Sequence, residues 1–262
     1  MLLAAPGADV PESFHTVVRA PRVHTGLLRG VQRLRGSVYL ADGAIGADQL
    51  TSKGLHKTPE DDRSWHIVSL NAVGEVTGCF WYRLHESSVS FEDLRVRQSP
   101  LALAPPWREH LWRAVESDLL GARIEGLRYA ELGGWAIARA NRCTSEVLLL
   151  ACAAYSLARA LGDALGITMA TVRNSSAKIL RRLGGAPLKI QNVAGEVPPY
   201  FDPHYGCTME LLRFDSRTPH AGLAGAVTLL RQKLASVPVV VNATDVAACQ
   251  VESRHQVPQY AA

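Results

Sequence analysis

A short turn between an apolar strand and a long apolar helix gathers residues suited to chemistry. The segment 131–162 reads ELGGWAIARANRCTSEVLLLACAAYSLARALG, with Arg139 and Arg142 in the turn and Thr144 and Ser145 after them. The first backbone N–H groups of a helix, at the positive end of its dipole, face whatever lies over such a turn. The arginines and hydroxyls add further donors. The pattern predicts a phosphate-binding turn; the alternative is two solvated arginines and an ordinary helix cap.

The elements that must position this turn follow from apolar periodicity. Apolar residues recur at helical spacing in 24–40, and a polar stretch at 41–64 has the composition of a mobile loop. Two β-type runs in 65–85 meet at a turn that predicts a hairpin. A helix opens at Pro105, and the helix after the phosphate-type turn is expected at about 144–165. The predicted order β-α-β-β-α-β-α-β-α-β-α-β indicates an α/β fold with helices covering a mixed sheet.

Domain organisation is read from the two ends of the chain. Residues 1–13 are rich in Ala, Pro and Gly and are expected to form a flexible leader, and 251–262 a flexible tail. Residues 14–250 contain no repeat and no clear linker, which predicts a single domain.

Composition excludes several classes of function. The 262 residues are 47% hydrophobic and 20% charged, with no apolar run long enough for a membrane helix, so a cytoplasmic protein is expected. Five scattered cysteines without a CxxC pair, and dispersed histidines without HExxH, indicate neither a disulfide framework nor a metal site. A net charge of +4 suits an anionic substrate or an acidic partner, and no base-reading module points to nucleic acid.

The succession of elements and two motifs resemble the GCN5-related N-acyltransferase superfamily. Its turn after the fourth strand, written Q/R-x-x-G-x-G/A, matches Arg139 to Thr144 here, with the first Arg kept and Arg142 and Thr144 in the two small-residue positions. The segment RNSSAKILRRLGG is similar to the family's next helix, which implies that Asn174 faces the pantetheine of the donor. The resemblance implies a mixed, mostly antiparallel sheet flanked by helices on both faces, and a thioester co-substrate with no permanently bound cofactor.

A narrower resemblance covers roughly residues 25 to 240. The stretches RLRGSVYL, EDDRSWHIVSLNAVGEVTGCFWYRL, AELGGWAIA and PPYFDPHYGCTMELLRFDS are similar in order and spacing to acyl-homoserine-lactone synthases and N-acyl amino acid synthases. Where autoinducer synthases begin the fourth strand with Glu-Leu-Ser-Arg-Phe, this chain has Glu131 to Trp135 reading ELGGW. The Glu is kept and the Arg is lost, which favours the N-acyl amino acid synthase type.

Direct acyl transfer from a thioester to an amine needs a base, a polarised carbonyl and a proton for the thiolate. Glu131 is the expected base, acting directly or through a water, because its apolar neighbours would raise its pKa. Backbone N–H groups of Trp135, Ala136 and Ile137, beside two glycines that permit distortion, are expected to polarise the carbonyl. A salt-bridged structural Glu is the alternative.

Other side chains have both a structural and a functional interpretation. Trp65, Phe80 and Trp81 are candidates for an acyl pocket, or plain core. Tyr155 and Tyr205 are candidates to protonate the thiolate, whereas Cys143 and Cys152 lack a neighbouring His and are not expected to be nucleophiles. Several arginines are candidate contacts for an acidic carrier protein: Arg29, Arg33, Arg35, Arg181 and Arg182.

The function predicted from these residues is transfer of a long acyl group from acyl carrier protein or acyl-CoA to the amine of an amino acid or similar small acceptor. One alternative is an acetyl-CoA-dependent acetyltransferase of a small amine or a protein Lys. The other is a non-catalytic acyl-binding regulator, favoured by the bulky Arg142 and Thr144. Chain length, acceptor, donor and oligomeric state depend on cavity shape and surfaces, which sequence does not provide.

Overall fold

The computed structural model describes residues 1–173, 175–189 and 195–244. In this part of the chain, one sheet of ten strands is covered by six α-helices. The strands are β1 (Leu2–Ala4), β2 (Val17–Arg19), β3 (Trp65–Leu70), β4 (Val76–His85), β5 (Arg128–Ile137), β6 (Ala164–Thr171), β7 (Ala186–Pro187), β8 (Tyr200–Asp202), β9 (Cys207–Asp215) and β10 (Val239–Val241). The helices are α1 (Pro21–Ala41), α2 (Pro100–Leu103), α3 (Pro105–Ile124), α4 (Glu146–Ala160), α5 (Ser176–Arg182) and α6 (Ala224–Leu234).

The sheet is mixed and mostly antiparallel, as predicted. Its strand order is β2-β10-β1-β3-β4-β5-β6-β9-β7, with β8 paired to β9. Among the described strands, β1 with β10, β10 with β2, and β5 with β6 are parallel pairs, and the remaining pairs are antiparallel. The predicted hairpin is confirmed as β3 and β4, and Gly74 in its turn has φ +83°.

Helices pack on both faces of the sheet because successive strand residues point to opposite sides. Phe80 and Tyr82 join the core beneath α4, α5 and α6, whereas Cys79 packs against α1. Helices α2 and α3 cover the same face as α1 farther along the sheet, over Tyr129 and Ile167. This confirms the predicted fold class. No helix of the described ranges has the length and apolar composition to cross a membrane.

Two sequence expectations about element boundaries are wrong. Residues 1–13 do not form a flexible leader throughout, because Leu3 is fully buried and pairs with Ile67 and Val239. A strand of three residues carries too little pattern to be recognised. Helix α4 ends at Ala160, short of the predicted 165, because Gly162 and Asp163 take left-handed backbone angles, φ +105° and +58°. The expected tail, 251–262, lies outside the described residues.

The expected mobile loop at 41–64 is anchored by a buried ion pair. Asp61 in this loop is 3% exposed and accepts hydrogen bonds of 2.7 and 2.8 Å from Arg35 of α1, which is 1% exposed. Arg35 also donates to the His56 carbonyl, and Asp61 accepts from the Thr58 backbone N–H. Burial opposes both charges, but the mutual bonds outweigh it, so the pKa of Asp61 is lowered and that of Arg35 raised. The sequence suggests Arg35 as a surface contact for a carrier protein. This expectation is wrong, because the Arg35 side chain is buried and paired with Asp61.

We expect Asp61→Asn to lower the free energy of unfolding by about 3–5 kcal/mol, because it leaves the Arg35 guanidinium buried without its counter-charge. Chemical denaturation followed by circular dichroism measures this loss. Glu109→Gln is the control, since Glu109 pairs with Arg113 on the exposed surface of α3 and such pairs contribute little. Equal effects of the two variants would contradict a structural role for the buried pair.

His66 on β3 makes stability depend on pH. Its ring is 1% exposed, its Nε2 donates to the Asp61 carbonyl at 2.8 Å, and burial lowers the pKa of His66 to about 4 from 6.5. The unfolded chain therefore binds a proton before the folded one as pH falls from 6.5 towards 4, and folding stability is lost in that window at up to about 1.4 kcal/mol per pH unit. Urea denaturation at several pH values should show a shallower loss for His66→Gln than for the wild type. Parallel curves would contradict the assignment.

Candidate functional site

Strands β5 and β6 separate part-way along their length and open a fork in the sheet. Their parallel pairing runs from Arg128 with Ala164 to Leu132 with Thr168. Beyond that point, residues 133–137 pair with β4 but with no other described strand, and β6 continues to Thr171. Thr168 Oγ1 donates to the Leu132 carbonyl at 2.7 Å and ties the two strands where they part.

A bulge at Gly134 turns β5 away from β6. The register between β4 and β5 shifts between Cys79 and Trp81, and Gly134 has φ +63°. A Cβ atom at Gly134 would collide with the Trp81 ring, and one at Gly133 would come too close to the same ring. Only glycine fits both the backbone angle and the close approach of the indole. The glycines that the sequence marked as permitting distortion are therefore where the strand bends.

The fork opens into a cleft of about 330 Å³. Its walls come from α1, β5, β6, α4 and α5, with Arg95 and Tyr205 contributed by loops. The predicted carbonyl-polarising segment lines it: Trp135, Ala136 and Ile137. Because alternate backbone N–H groups of a strand point to each edge, the edge of β5 that faces away from β4 presents donors towards this space. Tyr39 Oη lies there too, 3.3 Å from the Trp135 carbonyl, to which it donates.

An apolar cavity of about 50 Å³ adjoins the cleft beneath α4. The two share Phe80, Trp135, Thr168 and Leu180. One wall is the alanine-rich face of α4, formed by Ala151, Ala154 and Ala158, and the sheet forms the floor. A polar cleft is thus joined to an apolar void at the fork.

Of the three aromatic residues predicted for an acyl pocket, only Phe80 lines the cleft and this cavity. Trp65 stacks on Phe14 at 5.5 Å in the core. Trp81, next to Phe80 on a strand, points to the opposite face and lies under the guanidinium of Arg95, 5.9 Å from its ring centre. Trp65 and Trp81 therefore do not form an acyl pocket.

Glu131 is buried beside the cleft rather than in its wall. It is 3% exposed, and its carboxylate accepts from the Arg95 backbone N–H at 2.7 Å and from His85 Nε2 at 3.1 Å. It lines a separate cavity of about 20 Å³. That cavity shares Arg95, Thr168 and Met169 with the cleft, and its volume is close to what one water needs.

Two tyrosines and one arginine, Tyr39, Tyr205 and Arg95, line the cleft. Arg95 Nη2 donates to Tyr205 Oη at 2.8 Å. Burial would lower the pKa of the Arg95 guanidinium, but Tyr205 and Glu60 outweigh it and the pKa is raised. Burial also raises the pKa of Tyr39. Sequence reasoning missed Arg95 and Tyr39; they lie in different elements, and no spacing pattern links them to each other or to Tyr205.

The turn that is predicted to bind phosphate lies between β5 and α4, and its charges are largely paired. Arg142 forms hydrogen bonds of 3.0 and 2.7 Å with both oxygens of Asp42 at the end of α1. Thr144, one residue before the N-cap position Ser145, accepts from the Glu146 backbone N–H and donates to the Asn141 carbonyl. Ser145 is exposed and makes no capping bond. Arg139 is exposed on the turn.

A carboxylate occupies the first turn of α4. Glu146 accepts from Thr77 Oγ1 at 3.0 Å and from Asn141 Nδ2. It therefore offsets the positive end of the α4 dipole at the place where the sequence predicted an anion. Asn174, the predicted pantetheine contact, lies outside the described residues. Among those residues, no cluster of three or more His, Cys, Asp or Glu side chains could hold a metal ion.

The remaining candidates differ in accessibility. Tyr155 Oη donates to the Leu183 carbonyl at 2.9 Å, so its proton is engaged inside the core. Tyr205 Oη accepts from Arg95, which leaves its own proton available to the cleft. Burial raises the pKa of Cys152, and Cys143 is exposed at the cleft mouth.

Solved structures share this fold at low sequence identity. The CoA-dependent acyl-homoserine lactone synthase BjaI, solved with MTA, matches with 13% identity over 90% of this chain and 97% of its own, at a TM-score of 0.51. FeeM, an N-acyl amino acid synthase from uncultured soil microbes, matches with 13% identity over 76% of this chain and 93% of its own, at a TM-score of 0.47. No protein-family model matches the sequence, and no curated protein does. At this identity the match to BjaI shows a common fold, which is the one the sequence resemblance implied.

Proposed function

We propose that this protein is an N-acyltransferase that moves a fatty acyl group from a carrier-protein or CoA thioester to the amine of an amino acid or similar small acceptor. The observation that carries the proposal is the fork between β5 and β6, where a polar cleft meets an apolar cavity. A thioester carbonyl at the fork would have its acyl chain under α4 and its sulfur and the acceptor in the cleft. The fold shared with BjaI, a CoA-dependent acyl-homoserine lactone synthase, supports this chemistry.

The reaction forms one C–N bond and breaks one C–S bond. The neutral amine attacks the carbonyl, whose developing negative charge meets the backbone N–H groups within Trp135 to Ile137 that point away from β4. The thiolate that departs takes a proton from Tyr205, whose anion the charged Arg95 stabilises through their 2.8 Å hydrogen bond. The acceptor's ammonium first loses one proton to Glu131 through a water in the adjoining cavity of about 20 Å³. The second proton, released from nitrogen after the C–N bond forms, returns to the Tyr205 anion.

The charged residues of the turn between β5 and α4 indicate which acyl donor the protein prefers. Asp42 neutralises Arg142 and Glu146 offsets the helix dipole, which leaves Arg139 as the turn's cation for a ligand. A single phosphate, as on the phosphopantetheine arm of acyl carrier protein, matches one guanidinium better than the several phosphates of CoA do. We therefore propose acyl carrier protein as the preferred donor. The same neutralised turn also suits an acyl-binding regulator without activity, and turnover separates the two functions.

The first test is acyl transfer itself. We expect long-chain N-acyl amino acids to accumulate in a bacterial host that expresses the protein, as detected by mass spectrometry of extracted lipids.

Tyr205→Phe should lower kcat about 100-fold, because general acid catalysis typically contributes about 10²–10⁴. Tyr129→Phe is the matched control, since the Tyr129 hydroxyl donates to Asp118 beneath α3. Co-purified fatty acid without any acylated amine would favour the regulator, and equal kcat for wild type and Tyr205→Phe would remove Tyr205 from the mechanism.

A second test concerns the acyl chain. Ala151 and Ala158 lie seven residues apart on α4, about 10 Å along its axis, and both line the apolar cavity. We expect Ala158→Leu to fill the deep end and to shift the products to shorter acyl chains. Ala226→Leu on the exposed face of α6 is the matched control. An unchanged product distribution would place the acyl chain elsewhere.

A further inference from the structure

One guanidinium in the cleft lacks a close carboxylate partner. In the described part of the chain, two arginines line the cleft, Arg95 and Arg142. Both oxygens of Asp42 bind Arg142, at 3.0 and 2.7 Å. The guanidinium of Arg95 instead donates to the hydroxyl of Tyr205, and its carboxylate neighbour among the described residues, Glu60, is 4.0 Å from Nε. Arg95 is therefore the cleft guanidinium whose hydrogen-bond donors are not already held by a carboxylate.

Three contacts hold Arg95 in place. Its backbone N–H donates to Glu131 at 2.7 Å, its guanidinium lies over the Trp81 ring, and Tyr205 accepts from Nη2. Its side chain is 23% exposed, and the exposed part faces the cleft. A guanidinium that is fixed and partly desolvated in this way is suited to bind an anion with two parallel hydrogen bonds.

We propose that Arg95 binds the carboxylate of the acceptor, so that the acceptors are amino acids and not simple amines. The inference rests on the proposed acyl transfer and names its acceptor class. Arg95 lies beside Tyr205 and lines the cleft, whereas Arg139, on the turn where the donor phosphate is expected, does not line it. A carboxylate held at Arg95 directs the neighbouring α-amine towards the fork, where the thioester carbonyl is attacked.

The test compares acceptors that differ only in the carboxylate: phenylalanine with phenethylamine, tyrosine with tyramine, and leucine with isoamylamine, at a fixed acyl donor. We expect the wild type to favour the amino acid of each pair by at least about 10-fold in kcat/KM. Arg95→Gln should lower kcat/KM for amino acids by about 10- to 100-fold, mainly by raising KM. Loss of a hydrogen bond between charged groups typically weakens binding by about that factor. For the simple amines kcat/KM should fall less, because they lose only the stabilisation of the Tyr205 anion by Arg95, and the KM of the donor should stay unchanged.

Two variants separate charge from structure. Arg95→Lys keeps the charge but not the paired donors, and should retain an intermediate preference. Arg97→Gln removes an arginine from the same segment that pairs with Glu92 on the surface, and should behave as the wild type. Thermal unfolding of each variant shows whether the fold is intact, and a destabilised Arg95→Gln leaves Arg95→Lys to decide the matter.

The outcomes distinguish this inference from the proposed function. Equal use of both members of each pair by the wild type, or an unchanged preference in Arg95→Gln, overturns the carboxylate site while acyl transfer stands. A rise in donor KM alone assigns Arg95 to the donor phosphate and also overturns it. If no acceptor is acylated, the proposed function fails, and calorimetric titration with phenylalanine decides the site: binding that Arg95→Gln abolishes supports it, and absence of binding contradicts it.

Discussion

The separation of β5 from β6 is the constraint on which the site depends. A sheet interior that gives up ladder hydrogen bonds leaves backbone groups that must find other partners. Here the Thr168 hydroxyl donates a hydrogen bond to the Leu132 carbonyl where the strands separate, and the Tyr39 hydroxyl donates to the Trp135 carbonyl farther along β5. Donors on the facing edges are left to the cleft, where a polarised carbonyl would use them. The function proposed for the fork thus depends on backbone N–H groups that are free because β5 and β6 do not pair there.

The bulge at Gly134 packs against the buried Arg35–Asp61 ion pair. Arg35 lies within 3.2 Å of the position a Cβ would take at Gly134, and its ion pair with Asp61 fixes the loop at 41–64 against α1. Buried ion pairs of this kind contribute little net stability, but they penalise any arrangement that leaves one charge alone. Loop, helix and bulge are therefore coupled, and the geometry of the fork is specified by residues outside it.

Sequence patterns predicted the long elements and missed the contacts between distant ones. The hairpin, α3 and the turn before α4 follow from local periodicity, and the family resemblance implied the sheet. The Arg35–Asp61 pair and the Arg95–Tyr205 pair join residues 26 and 110 positions apart, and no local signal marks such partners. One error was avoidable: Phe80 and Trp81 are adjacent in a strand, so they face opposite sides of the sheet and cannot both line one pocket.

The distribution of charge along the cleft reconciles the unusual turn with acyl transfer. In the superfamily pattern, small residues at the turn let backbone N–H groups approach phosphate oxygens, and the helix dipole adds to the attraction. Here Glu146 and Asp42 offset much of that field, while Arg95 keeps its charge in the cleft. In the reaction proposed here, electrostatic discrimination is thus shifted from the donor to the acceptor. A phosphopantetheine donor on a carrier protein would gain additional affinity from contacts between protein surfaces outside the cleft. A small acceptor can be bound only by the cleft. The proposed acceptor position is therefore where a strong fixed charge is most needed.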